Sequence, residues 1–215
     1  MARLEMHPED LSAILVTHEH SDHIRGVAAL ARKFSIPIYA THGTLSAASF
    51  DSNIKQIPIC CHSPFAIEEV EVEPVAVPHD AREPCQYKLT DGQRWLGVLT
   101  DLGSVTPFVR RCYQQLDALL LECNHDVAML ENGPYPHSVK RRIRSDFGHL
   151  SNDQAAEFAK GIDTSGLQHL VISHISQQNN ADALALDALC GAIHCDRDFI
   201  TVAAQKTGFA WREIS

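Results

Sequence analysis

The sequence contains no apolar run approaching the roughly twenty residues that a membrane-spanning helix needs. Its opening segment, MARLEMHPED, lacks the apolar core of a secretory leader. No CxxC pair is present, and the seven cysteines, at 60, 61, 85, 112, 123, 190 and 195, are odd in number. That pattern speaks against a disulfide framework and for reduced, mostly buried thiols in a cytoplasmic protein. Cys190 and Cys195 flank His194, but the helix-like stretch 183–192 favours burial over metal binding. Aromatic residues make up only 7% of the chain, with no basic stretch interleaved with aromatics on which single-stranded bases would stack. Positive charge is scarce too: 18 Lys and Arg face 27 Asp and Glu, a formal net charge of -9. This excludes indiscriminate nucleic-acid binding over the whole surface while permitting a local basic groove. Internal repeats and low-complexity segments are absent.

What is present suits one enzyme domain. With 215 residues and 45% apolar content, a single domain spanning 1–215 is expected, long enough to bury a substantial core. The apolar runs 13–17, 36–40 and 70–77 read as strands, the last with the alternation VEVEPVAV. Residues 86–89 and 95–100 flank Asp91-Gly92, a hairpin signal. Further strands are expected at 117–122, 170–173, 199–202 and 209–212. Helices are expected at 24–34, where Ile24, Val27, Ala28, Leu30, Ala31 and Phe34 share a face, at 154–162 opened by Ser151 or Asn152, and at 183–192. The mixture fits an α/β (α+β) fold of four layers, an αββα sandwich.

Residues 17–23 read T-H-E-H-S-D-H after the apolar run 13–16. In an extended segment alternate side chains share a face, so His18 and His20 can address one metal while Asp22 and His23 turn toward a second. Asp22 is also placed to cap the following helix. The same grammar recurs three times, an apolar strand-like run closing on a ligand-capable residue: 75–78 before His79, 95–100 before Asp101, and 170–173 before His174. Together these make seven ligands, enough for two metals, with Asp101 the natural bridge because both its oxygens can accept a metal. Imidazole with carboxylate suits two divalent ions, zinc by default, with manganese or iron as alternatives.

His18, His20, Asp22 and His23 match the HxHxDH signature, and the chain resembles the metallo-β-lactamase superfamily. The resemblance implies one metal on His18, His20 and His79, the other on Asp22, His23 and His174, and Asp101 shared. Aspartate at that position resembles the phosphodiesterase, nuclease and glyoxalase II branches rather than the lactam hydrolases. His20 also departs from the glutamate of the flavo-diiron branch. The stretches VTHEHSDHIRGV, VPHDAREP, TDLG, LLLECNHDVAML, NGPYPHSVKRRI and SDFGHLSND are similar to the YycJ/WalJ exonuclease group, which is related to the PhnP phosphodiesterases. Members of that group begin roughly forty residues earlier, with strands consistent with one or two hairpins. Either this start is internal to a longer protein, or this is a shortened form whose first sheet lacks its usual N-terminal strands, and the open edge of an incomplete sheet would invite a homodimer or misfolding.

A two-metal site lowers the pKa of a bridging water, so metal-bridging hydroxide is the expected nucleophile, and the ions neutralise charge on a phosphodiester. Asp22 is assigned to the catalytic set as a ligand. His149 resembles a histidine of the RNase Z branch and is expected to stabilise or protonate the leaving group, the alternative being a simple helix cap. Asp80, after His79, is a candidate to orient a histidine, while Asn124 and His125 receive no role. Lys140, Arg141, Arg142 and Arg144 form a basic run before His149, read either as a grip on a phosphate backbone or as a solvated helix face. The expected function is a dinuclear phosphodiester hydrolase with DNA as substrate, most plainly an exonuclease, acting away from membranes. The alternatives are a PhnP-like enzyme cleaving a small cyclic phosphodiester, and a shortened non-catalytic form that binds metal or a partner.

Overall fold

The structure is a computed structural model that describes residues 5–215. The chain forms two compact units: one runs to Ala76 and takes in Asp80–Gly92, the other comprises Val77–His79 and Gln93–Ser215.

In the first unit, β1 (Ile14–Leu15), β2 (Ile38–Thr41) and β3 (Gln56–Ile59) pair in parallel, in that order. Helices α1 (Ser21–Ile24), α2 (Val27–Phe34) and α3 (His42–Ala48) lie between them in sequence. The helical face read from the spacing at 24–34 packs as expected: Val27 and Ala31 are buried with Val16, Ile38, Ala40 and Ile54, and Ile24 and Ala28 lie against them. The chain nevertheless breaks this stretch at Arg25-Gly26 into two helices. Gly26, with its low helix propensity, becomes the N-cap of α2. The expected strand 13–17 pairs as a ladder only at Ile14–Leu15, although Val16 still donates to the Tyr39 carbonyl.

The same unit holds an antiparallel meander of β4 (Phe65–Ile67), β5 (Val70–Ala76) and β6 (Cys85–Thr90). It encloses Ile59, Val72, Cys85 and Tyr87, with Tyr39 and Phe65 stacked at 5.3 Å. Two bonds fasten β6 to the segment entering the histidine heptad: Tyr87 donates its hydroxyl to the Val16 carbonyl at 2.8 Å, and the Cys85 amide donates to the Thr17 carbonyl at 3.0 Å.

In the second unit, β7 (Trp95–Leu99), β8 (Ala118–Glu122), β9 (His169–Ser173) and β10 (Ile200–Val202) lie side by side, all parallel. Parallel strands are buried on both faces, which is why ALLLE and HLVIS read as continuous apolar runs. The intervening helices are α4 (Pro107–Cys112), α5 (Val127–Asn132), α6 (His137–Ile143), α7 (Asn152–Lys160) and α8 (Asp182–Ile193). Ser151 caps α7, accepting from the Gln154 amide while the Gln154 side chain accepts from the Ser151 amide. The strand expected at 209–212 does not form. Its residues are exposed or half-exposed, Trp211 at 65%, and this tail is held by Arg212 to Thr201 and by the Glu213 carbonyl to His169.

Candidate functional site

The ligand candidates divide between the two units. His18, His20, Asp22 and His23 lie in the first, and His79, Asp101 and His174 in the second.

In the first unit the heptad is extended only as far as His20, which is the N-cap of α1. The helical turn that follows, with the His23 and Ile24 amides donating to the His20 carbonyl, folds His23 back onto His18. Their ring centroids lie 4.1 Å apart, and His18 and His20 are 4.5 Å apart. Helix rather than alternation thus gathers the three imidazoles. The Thr17 hydroxyl lies 3.0 Å from His18 Nδ1 and 3.3 Å from His23 Nδ1, fixing two rings through one side chain. His20 Nε2 stands 3.2 Å from the Asp80 carbonyl oxygen and 3.7 Å from its carboxylate, so exposed Asp80 meets His20 chiefly through its backbone. Asp22 sits in the first turn of α1, with its side chain 65% exposed and Oδ2 3.5 Å from His23 Nε2. It does not cap α1 or α2.

In the second unit three neighbouring parallel strands deliver side chains at their carboxyl ends. Asp101 follows β7, Glu122 ends β8, and His174 follows β9. Asp101 and His174 both hold left-handed backbone, with φ of 50° and 54°. Such conformations cost on the order of 1–3 kcal/mol each and persist where the surroundings over-determine them. Here each turns the chain sharply as it leaves a strand. His174 Nε2 lies 3.4 Å, and His79 Nε2 4.0 Å, from the same Asp101 oxygen, Oδ1.

The opposite edges of these rings are tied down. His79 Nδ1 lies 3.0 Å from the Gly148 carbonyl, which can only accept. Glu122 Oε1 lies 2.8 Å from both His174 Nδ1 and His149 Nδ1, while Oε2 accepts from the Leu102 and Leu150 amides. Glu122 is fully buried. Burial opposes its ionisation, but the bonds from His149 and His174 outweigh it and hold the carboxyl below its ordinary range. Because an ionised carboxylate only accepts, both rings donate from Nδ1. When neutral, as a ligating imidazole must be, His79 and His174 turn acceptor nitrogens toward an acceptor oxygen of Asp101. A divalent cation between them relieves that opposition, so the donor set fits a metal.

Glu122 is the residue that sequence reasoning missed. The signal was available, because LLLE is another apolar run closing on a ligand-capable residue, here a carboxylate. His149 is no helix cap; its ring is held by Glu122 and lies 5.2 Å from those of His79 and His174. Asn124 donates to the His174 carbonyl, and its backbone exchanges with Leu150 and Ser176. His125 is buried and bridged to Ser151, and burial pushes its pKa down to about 4, leaving it neutral. Burial pushes the Cys123 thiol up, away from thiolate. The basic run forms α6 and its C-cap. Lys140 donates to the Glu131 carbonyl and Arg144 pairs with the Glu131 carboxylate at 2.6 Å, while Arg141 and Arg142 are exposed.

Three comparisons bear on this arrangement. Residues 2–175 match the beta-lactamase superfamily domain. The chain is 41% identical over 187 residues to exodeoxyribonuclease YycJ of Bacillus anthracis, spanning 84% of this chain and 70% of that one. It is 35% identical over 191 residues to exodeoxyribonuclease WalJ of Streptococcus pneumoniae, spanning 86% and 71%. Among solved structures, the metallo-β-lactamase fold protein YhfI from Bacillus subtilis superposes with a TM-score of 0.74 at 19% identity, over 95% of this chain and 79% of that one.

Proposed function

The chain belongs to the metallo-β-lactamase superfamily and, within it, to the family of YycJ and WalJ; on that premise we propose that this hydrolase is a DNA exonuclease working with two divalent metal ions. The observation that supports it most directly is the sharing of Asp101 Oδ1 by the Nε2 edges of His79 and His174. By the family's pattern His18, His20 and His79 would hold one ion and Asp22, His23 and His174 the other, with Asp101 shared. The all-imidazole and carboxylate donors suit zinc, with manganese the alternative. When bound, the ions supply a water acidic enough to act as nucleophile near neutral pH and a positive field for the phosphoryl oxygens.

The remaining work falls to side chains. Thr17, Asp80, the Gly148 carbonyl and Glu122 fix the histidine rings, so that few rotamers need be frozen at the moment of reaction. Glu122 holds His149 through Nδ1 and leaves its Nε2 edge to meet the leaving oxygen. Arg141 and Arg142, exposed on α6, hold backbone phosphates. All seven cysteines are free thiols, which supports a cytoplasmic setting. No helix among the described residues is long and apolar enough to cross a membrane.

The test is elemental analysis of the purified chain beside cleavage of 5′-labelled duplex DNA with added zinc or manganese. Near two metals per chain with progressive shortening is the expected result. Metal without DNA cleavage, together with hydrolysis of a cyclic ribose phosphate, would replace the exonuclease with a small-molecule phosphodiesterase. Little metal would leave the non-catalytic form.

A further inference from the structure

Phe147 is 58% exposed, although burial is the ordinary fate of so large an apolar side chain. A single exposed hydrophobic residue is unremarkable on a mobile loop; this one is displayed by a turn with little freedom. Residues 145–148 are closed by the Gly148 amide on the Ser145 carbonyl at 2.9 Å and by the His149 amide on the Ile143 carbonyl at 2.9 Å. Ser104 donates to the Asp146 carbonyl at 3.0 Å. Backbone packs directly on backbone beneath it. A Cβ on Gly103 would lie 2.3 Å from the Gly148 nitrogen and 2.4 Å from the Phe147 nitrogen, and one on Gly148 would lie 2.2 Å from the Arg142 and Ile143 carbonyl oxygens.

The surroundings of this turn are cationic and close to the chemistry in sequence and in bonding. On its N-terminal side α6 and its C-cap supply Lys140, Arg141, Arg142 and Arg144, and a surface cavity of about 790 Å³ is lined by His137, Lys140, Arg141, Arg144, Ser145 and Glu131. On its C-terminal side, Gly148 bonds His79 and is followed by His149. An exposed aromatic ring set between phosphate-seeking cations and residues of the candidate site matches a nucleotide, which joins a π-face to a phosphate.

We propose that Phe147 stacks on a nucleobase beside the bond to be cut, while α6 holds the neighbouring phosphates. The inference rests on the DNA exonuclease reading and deepens it by placing a base-contacting, sequence-tolerant residue next to His149. Stacking of this kind positions the strand end without selecting a base, as an exonuclease requires.

The experiment compares wild type, Phe147→Ala and Phe147→Trp on duplexes carrying either a normal base or an abasic analogue at each of the two terminal nucleotides. Phe147→Ala is expected to raise KM by about tenfold, within the range that single base–aromatic contacts give. Metal content and melting temperature stay at wild-type values, and Phe147→Trp restores KM. At one terminal position the abasic analogue imposes the same loss on wild type and no further loss on Phe147→Ala. Penalties that multiply, or an alanine variant with unchanged kinetics on DNA that wild type cleaves, would overturn the stacking and leave the exonuclease standing. A shift in sedimentation without change on DNA would make Phe147 a contact between copies instead. If wild type neither binds nor cleaves DNA, both readings fall together.

Discussion

Replacing Glu122 by glutamine alters one buried atom and sets four hydrogen bonds in conflict. The carboxylate receives two donors on each oxygen, His149 and His174 on Oε1 and the Leu102 and Leu150 amides on Oε2. An amide can offer only one acceptor oxygen. If its NH2 turns toward Leu102 and Leu150, two buried amides lose their acceptor at about 1–3 kcal/mol each. If it turns toward the histidines, the conflict disappears when both rings move their proton from Nδ1 to Nε2. The second course is the cheaper one, because neutral imidazole accepts either tautomer while a backbone amide has no alternative. Stability should then fall by only about 1–2 kcal/mol, the difference between charged and neutral bonds, or roughly 2–8 °C in melting temperature. The consequence for function is larger, since His174 now presents a proton where it should present a lone pair. Metal affinity should drop about 10- to 100-fold, as is usual for lost partners of ligating histidines. Zinc competition against a chromophoric chelator, beside calorimetry of the metal-free protein, measures both quantities. Metal affinity within twofold of wild type would refute the assignment of Glu122 as the group that fixes these tautomers.

His149→Ala should retain both metals and slow DNA hydrolysis about a hundredfold at saturating substrate; loss of a metal would instead make His149 a ligand. Gly103→Ala should lower the melting temperature, with overpacking of about 1–3 kcal/mol, because every near contact of the new Cβ is backbone of the 146–148 turn; an unchanged melting curve would refute that packing. Charge reversal at Arg141 and Arg142 together should weaken DNA binding and reduce the salt dependence by about one ion per lost phosphate contact. Titration of DNA affinity against salt reads this, and an unaltered slope would return α6 to the solvent.

The places of Asp101 and His174 after strands were legible because strand ends are written in two simple signs, an apolar run and a polar residue that stops it. The same rule applied to residues 118–122 finds Glu122. Helices α3, α4 and α5 were missed because each has seven residues or fewer, too few for a period to show, and α6 entered only as one reading of the basic run. Their caps were visible, Thr106 before Pro107 and Asp126 before Val127 among them. Strands β3 and β4 were missed for a related reason, since QIPI and FAI are short and the first contains proline. The segment 209–212 carries the aromatic residues of a strand, but in the structure Trp211 is exposed and Phe209 half-exposed. The gathering of His18 and His23 depends on a turn of helix beginning one residue after His20, something alternation along a strand does not express.

The bond between His79 Nδ1 and the Gly148 carbonyl ties a candidate metal ligand to the turn that displays Phe147. Two binding events that share such a tie are thermodynamically linked, and the linkage is reciprocal: whatever factor one occupant adds to the other's affinity is returned in full. If metal on His79 steadied the turn for DNA, DNA seated on the turn would raise the affinity for metal by the same factor. The protein would thus keep its ions best while engaged on substrate and surrender them most readily when idle, a behaviour visible as slower chelator stripping in the presence of a DNA end.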